Sequence, residues 1–219
     1  FAGADFKEID KSWMLNQNDP IGPFGMLDGV GLNLVMDIVV ESVNREKLPS
    51  NPKIAAALAA YLQPFLDRGD LGMKTGRGFY DYPEPEFQTP EFLANAQEET
   101  ALSAPMVYTV LATALTLVAE DYAEPHDVDK SWMLTHNPEC GPFGTIDAIG
   151  LDVVREGLQL RAEQMEAIMG NPGTVYEMTK IATGFLDGYI QKEELGMKSG
   201  KGFYSYPNPE YQKPHFLEG

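Results

Sequence analysis

The side chains able to carry chemistry in this 219-residue chain are few and scattered. Its three histidines, His126, His136 and His215, have no second candidate ligand beside them. A metal site needs clustered ligands, so they read as surface histidines. Cys140 follows Glu139, and nothing near it in sequence would lower its pKa; it reads as a small hydrophobe rather than a thiolate. Asp10 and Asp129 each open or sit in a helix-start pattern, DKSWML, which favours capping over catalysis. The last candidate is written twice: GMKTGRGFYDYP from Gly72 and GMKSGKGFYSYP from Gly196. Glycines beside basic residues can cradle phosphate through backbone N–H groups. A P-loop, however, needs G-x-x-x-x-G-K-[ST] between a strand and a helix, and here Lys74 and Thr75 precede Gly76 while an aromatic segment follows. The stretch reads as a tight turn whose Phe79 and Tyr80 plug a core. The sequence contains no nucleophile paired with a base and no dinucleotide fingerprint.

The elements that position these residues are themselves duplicated. DKSWML at Asp10 recurs at Asp129, GPFG at Gly22 recurs at Gly141, and Gly31-Leu32 recurs at Gly150-Leu151, all 119 positions apart. At Gly72 and Gly196 the spacing is 124, so the second copy carries five extra residues between Leu151 and Gly196. A two-unit duplication follows, residues 1–93 and 94–219, with Gln88 to Thr100 as the linker. The second copy has a segment from about Leu102 to Glu120 in which Val107, Val110, Leu111, Ala114, Leu117 and Val118 follow helical spacing. The first copy has no counterpart to this helix. The chain is therefore expected to be a fragment of a longer protein. The bared surface is expected either to drive self-association or to loosen Phe1 to Leu15.

Most of the remaining pattern is helical. After GPFG, the polar Asn33, Asp37, Glu41 and Asn44 leave a narrow wet stripe on an otherwise apolar segment, which predicts a largely buried, central helix. Its copy carries Arg155 and Gln159 where the first has Met36 and Val40, predicting a wider wet face. Asn51-Pro52 and Asn171-Pro172 each predict a helix start, and Pro64 predicts a break or kink.

Composition bounds the function. A net charge of −17 argues against nucleic-acid and anionic-membrane partners, both of which need a basic surface. An apolar content of 43% without a run of about 18 uncharged apolar residues predicts a soluble globular chain. One cysteine excludes an internal disulfide and fits a reducing compartment, so a cytoplasmic setting is expected.

The order DKSWM, then GPFG…D…(I/V)G, then a long helix, then GMK(T/S)G(R/K)GFY(D/S)YP resembles the C-terminal helical domain of 3-hydroxyacyl-CoA dehydrogenases in tandem form. The resemblance implies an all-α fold, tandem helical domains similar to the C-terminal domain of 6-phosphogluconate dehydrogenase. It implies a Rossmann domain elsewhere that binds NAD and carries the catalytic His and Glu, with these helices closing the acyl-CoA cleft and building dimer or pseudo-dimer contacts. Under it, no catalytic, cofactor or metal residue is expected in this chain. Gly22, Pro23 and Phe24 become the candidates for lining the cleft. The family's Asn-Arg pair falls at about Ala104-Pro105 in the second copy, which makes that copy a degenerate, structural unit. A non-catalytic binding or scaffold module of the same fold is the alternative.

Overall fold

Helix punctuation is written into the chain at each start. Asp5 accepts the Lys7 N–H through its side chain and opens α1 (Phe6–Gln17). Gly22 followed by Pro23 opens α2 (Pro23–Val30), where proline's fixed φ suits the first turn. Gly31, at φ 98°, turns the chain directly into α3 (Leu32–Ser42). Asn51 caps α4 (Pro52–Arg68), which Gly69 ends in a left-handed conformation. The computed structural model describes residues 4–44, 51–97, 100–136, 138–169 and 174–218.

Two compact units divide the chain, residues 1–103 and 104–219. The first holds α1 to α4 and the short α5 (Pro90–Leu93), around a core of Met14, Leu32, Met36, Leu62, Phe79, Tyr80, Phe87 and Phe92. The second takes in most of α6 (Thr100–Ala119), then α7 (Pro125–His136), α8 (Pro142–Ile149), α9 (Leu151–Met169) and α10 (Thr174–Ile190). Its core joins Leu111, Leu115 and Val118 of α6 to Phe143, Val154, Leu158, Ala182 and Leu186. Among the described residues there are ten α-helices and no strand; the repeated turns form only isolated bridges, Gly72 with Arg77 and Arg77 with Asp81, then Gly196 with Lys201 and Lys201 with Ser205.

Several sequence expectations change here. Pro64 does not break α4, which runs unbroken for 17 residues; proline removes one N–H there, and its ring lies on the exposed side. Gln88 to Thr100 is not simply a linker, because Phe92 of α5 is buried in the first core. The Asn171-Pro172 start lies outside the described residues. In addition, 102–119 forms an uncharged 18-residue stretch of mean hydropathy 1.7, long and apolar enough by composition to cross a membrane, contrary to the expectation that no such run exists. Its hydroxyls are satisfied locally, Thr109, Thr113 and Thr116 each donating to the carbonyl four residues back, while one face joins the second core.

The sharpest reversal concerns α3. It was expected to be the more central of the two copies, yet Leu34, Ile38 and Val40 are exposed. Leu32 and its copy Leu151 are both fully buried and Leu34 and its copy Val153 both exposed, but Val35 and Val39 are half-buried where their copies in α9, Val154 and Leu158, are sealed. Periodicity reports how apolar a helix surface is, and not whether a neighbour arrives to cover it.

Candidate functional site

Four aspartates with no exposed surface organise the two units: Asp10, Asp28, Asp129 and Asp147. Asp10 lies within α1, but what it caps is α2. Its carboxylate accepts the Phe24 N–H at 2.8 Å and the Gly25 N–H at 3.1 Å. These are among the first N–H groups of α2, which have no intrahelical acceptor and sit at the positive end of the helix. The Tyr80 hydroxyl completes the set at 2.9 Å. The expectation that Asp10 caps its own helix is thereby corrected, since Asp5 does that.

Asp28, in α2, holds the repeated turn. It accepts the Phe79 and Tyr80 N–H groups at 2.9 Å each and the Tyr82 hydroxyl at 3.1 Å. Unit 2 repeats the wiring bond for bond. Asp129 accepts from Phe143, Gly144 and the Tyr204 hydroxyl at 2.7, 2.9 and 3.0 Å. Asp147 accepts from Phe203, Tyr204 and the Tyr206 hydroxyl at 2.9, 2.9 and 3.0 Å.

The glycines make room for these carboxylates. A Cβ on Gly22 would stand 2.3 Å from Asp10 Cγ, and one on Gly78 would stand 2.0 Å from Asp28 Oδ1. Gly76 is needed for a different reason, its φ of 81°. Burial pushes the Asp10 and Asp129 carboxyls up to about 6, against the pull of the bonds they accept. Asp28 and Asp147 are raised for the same reason. Burial and the adjacent carboxylates raise the Tyr80 and Tyr204 phenols, keeping them protonated donors. Each of the four carboxylates thus holds two backbone N–H groups and one phenol, and the network positions backbone.

The cleft candidates sit on this scaffold. Gly22 is the N-cap of α2 and Pro23 its first residue. Phe24 is half-buried, 4.7 Å edge-on from Phe79 and 5.6 Å from Phe6. Its copy Phe143 has no exposed surface and meets Phe203 at 4.6 Å. The histidines stay separate: His126 faces Asp127, His215 contacts Glu210 at 2.9 Å, and His136 stacks on Trp132 at 4.3 Å. No group of three or more His, Cys, Asp or Glu able to hold a metal occurs among the described residues. Cys140 packs against the second core, and burial pushes its thiol up. In sequence, Asp28 and Asp147 are only the aspartate of the repeated GPFG…D motif. Their recurrence 119 positions apart was the signal that they matter.

Helical units of this kind, each stapled by two buried aspartates and each closed by the same aromatic turn, define a duplicated all-α domain. The family model described as 3-hydroxyacyl-CoA dehydrogenase, C-terminal domain, matches residues 2–82 and again 104–206. The chain belongs to that family. It is 33% identical over 79 residues to a probable 3-hydroxybutyryl-CoA dehydrogenase of Bacillus subtilis, a match covering 35% of this chain and 25% of that protein. It is 33% identical over 82 residues to 3-hydroxybutyryl-CoA dehydrogenase of Clostridioides difficile, covering 36% and 26%. The matched region thus spans about a quarter of these relatives. Among solved structures, FadB2 of M. tuberculosis shares 27% identity over 55% of this chain and 45% of its own, at a TM-score of 0.37.

Proposed function

We propose that this chain is the helical, acyl-CoA-side part of an NAD-dependent 3-hydroxyacyl-CoA dehydrogenase of cytoplasmic acyl-CoA or fatty-acid metabolism. The intact protein oxidises the 3-hydroxyl of its substrate to a ketone, passing a hydride to NAD and releasing a proton. NAD and the catalytic pair belong to a dinucleotide-binding domain outside these 219 residues. The first unit lines the cleft through Gly22, Pro23 and Phe24; the second is structural. The observation that carries this division is the contrast between half-buried Phe24 and fully buried Phe143 on two helix starts that share the sequence Gly-Pro-Phe-Gly.

The test is calorimetry and hydride transfer with this chain alone, using NAD and a 3-hydroxybutyryl-CoA substrate. Neither NAD binding above background nor turnover is expected, because the phosphate-cradling backbone of a Rossmann turn has no counterpart in its sequence. Micromolar NAD affinity would sink the proposal.

A further inference from the structure

Beside the aromatic turn of unit 2 lies an open groove of about 350 Å³, walled by Met197, Gly200, Tyr206, Pro207, Pro209 and Gln212. All six residues recur in unit 1 at a spacing of 124, from Met73 to Gln88. Folding accounts for part of this identity. Gly76 and Gly200 stand at φ 81° and 80°, Tyr82 and Tyr206 donate to Asp28 and Asp147 at 3.1 and 3.0 Å, and Pro85 and Pro209 are buried. The methionine and the glutamine have no such duty. Met73 and Met197 are 52% and 48% exposed, and the exposed side-chain amides of Gln88 and Gln212 meet no hydrogen-bond partner among the described residues. Other exposed positions of the same stretch do differ between the copies: Asp81 is matched by Ser205, Glu84 by Asn208, Thr89 by Lys213 and Glu91 by His215.

The chemistry of the wall defines what it can hold. The tyrosine hydroxyl is spent on its aspartate, and the Gly76 and Gly200 carbonyls accept the Tyr82 and Tyr206 N–H groups at 3.0 Å. The glutamine amide is left as the side-chain donor and acceptor on an otherwise apolar surface. An aromatic ring, two proline rings and a methionine beside one such amide suit an extended, proline-containing chain. Its rings pack on the wall, its peptide groups bond the amide, and its polyproline conformation is preformed, so little entropy is lost on docking.

We infer that the Met73–Gln88 groove of unit 1 docks a basic, proline-containing segment of a partner protein. Charge selects both the ligand and the unit. Residues 73–91 carry four acidic and two basic side chains, whereas residues 197–215 carry one acidic and three basic. In unit 1 Asp81 is engaged by Arg77 at 3.3 Å and Glu86 by Lys7. Glu84, between the two prolines of the groove, and Glu91 are exposed and have no ion pair among the described residues, so they can receive an arginine or lysine of the ligand. In unit 2 the one carboxylate, Glu210, is already held by Lys213 and His215. The net charge of −17 adds a long-range pull of the same sign.

The experiment titrates the 219-residue chain into the fluorescein-labelled peptide Arg-Pro-Leu-Pro-Pro-Leu-Pro-Arg and reads anisotropy. Saturable binding is expected, weakening as salt is raised from about 0.05 to about 0.5 M. Gln88→Ala should weaken it about fivefold, the worth of one lost hydrogen bond, and Glu84→Lys about tenfold or more, while Gln212→Ala should change it by less than about twofold. Gln88 and Glu84 are exposed, so both variants should melt with the parent chain. The inference is overturned if binding does not saturate by about 1 mM chain, or if the peptide with alanine for every proline binds as well. It is equally overturned if glutamates in place of the arginines leave the affinity unchanged, or if Gln212→Ala costs as much as Gln88→Ala.

Discussion

The hydroxyl of Tyr80 donates to Oδ2 of Asp10 at 2.9 Å, joining residues 70 positions apart. Because the backbone N–H of the same tyrosine is held by Asp28, one residue ties the start of α2, its interior and the closing turn together.

Tyr80→Phe leaves Asp10 with two donors instead of three in a fully buried site, which should cost about 1–2 kcal/mol. Tyr204→Phe in unit 2 should cost the same within about 0.5 kcal/mol, because its geometry is the same. Chemical denaturation of both variants checks this; a cost at only one position would mean that the two networks are not equivalent.

Acidity should act on these carboxylates in the unusual direction. Asp10 and Asp129 titrate at about 6 when folded, against 3.8 for the ordinary carboxyl. Between those values the folded chain binds more protons than the unfolded one, so their contribution to stability is fully present below pH 3.8 and is lost as pH rises through 6. A difference of about two pH units at 1.36 kcal/mol each makes this on the order of 3 kcal/mol per site. Denaturation midpoints should therefore rise from pH 7 to pH 5. Asp10→Asn should flatten the slope while lowering stability at both ends, since its amide must face a backbone N–H donor. An unchanged slope would place the titration elsewhere.

Glycine substitutions separate space from conformation. Gly78→Ala, whose Cβ lands on Asp28, should cost more than 3 kcal/mol or prevent folding. Gly76→Ala meets nothing within 4 Å and pays only for its φ of 81°, about 1 kcal/mol. Gly184 and Gly188, inside α10 with open space around them, should gain about 0.5–1 kcal/mol each as alanine. Thermal melts of the set check the order.

Phe143→Ala should cost about 3–5 kcal/mol, as for any fully buried aromatic, and Phe24→Ala distinctly less. If the intact protein has the activity proposed above, Phe24→Ala should nonetheless have the larger effect on its kcat or KM. Equal losses of stability alone at both positions would leave Phe24 only a packing role.

The duplication and helix starts were legible because they depend on neighbours in sequence: Pro23 after Gly22, Asn51 before Pro52, two offsets that hold across whole motifs. The buried wiring was not. Asp28 meets its partners 51, 52 and 54 residues away, and nothing local distinguishes it from a surface aspartate in a short helix. The exposure of α3 has the same origin, since Ile38 and Val39 have the spacing of core residues and local periodicity does not report whether a neighbour covers them.

The staple also sets how unit 1 opens. The amides of Phe24, Gly25, Phe79 and Tyr80 all end on two carboxylates bridged by one tyrosine, so no one of them can be freed by fraying of a single helix. Their exchange with solvent should share one opening free energy, that of the unit as a whole, while the exposed end of α4 near Arg68 exchanges through cheaper local events. Unit 1 thus has its cooperative seam at the α2–turn junction, and its helices belong to one unfolding event because two aspartates belong to both sides of that seam.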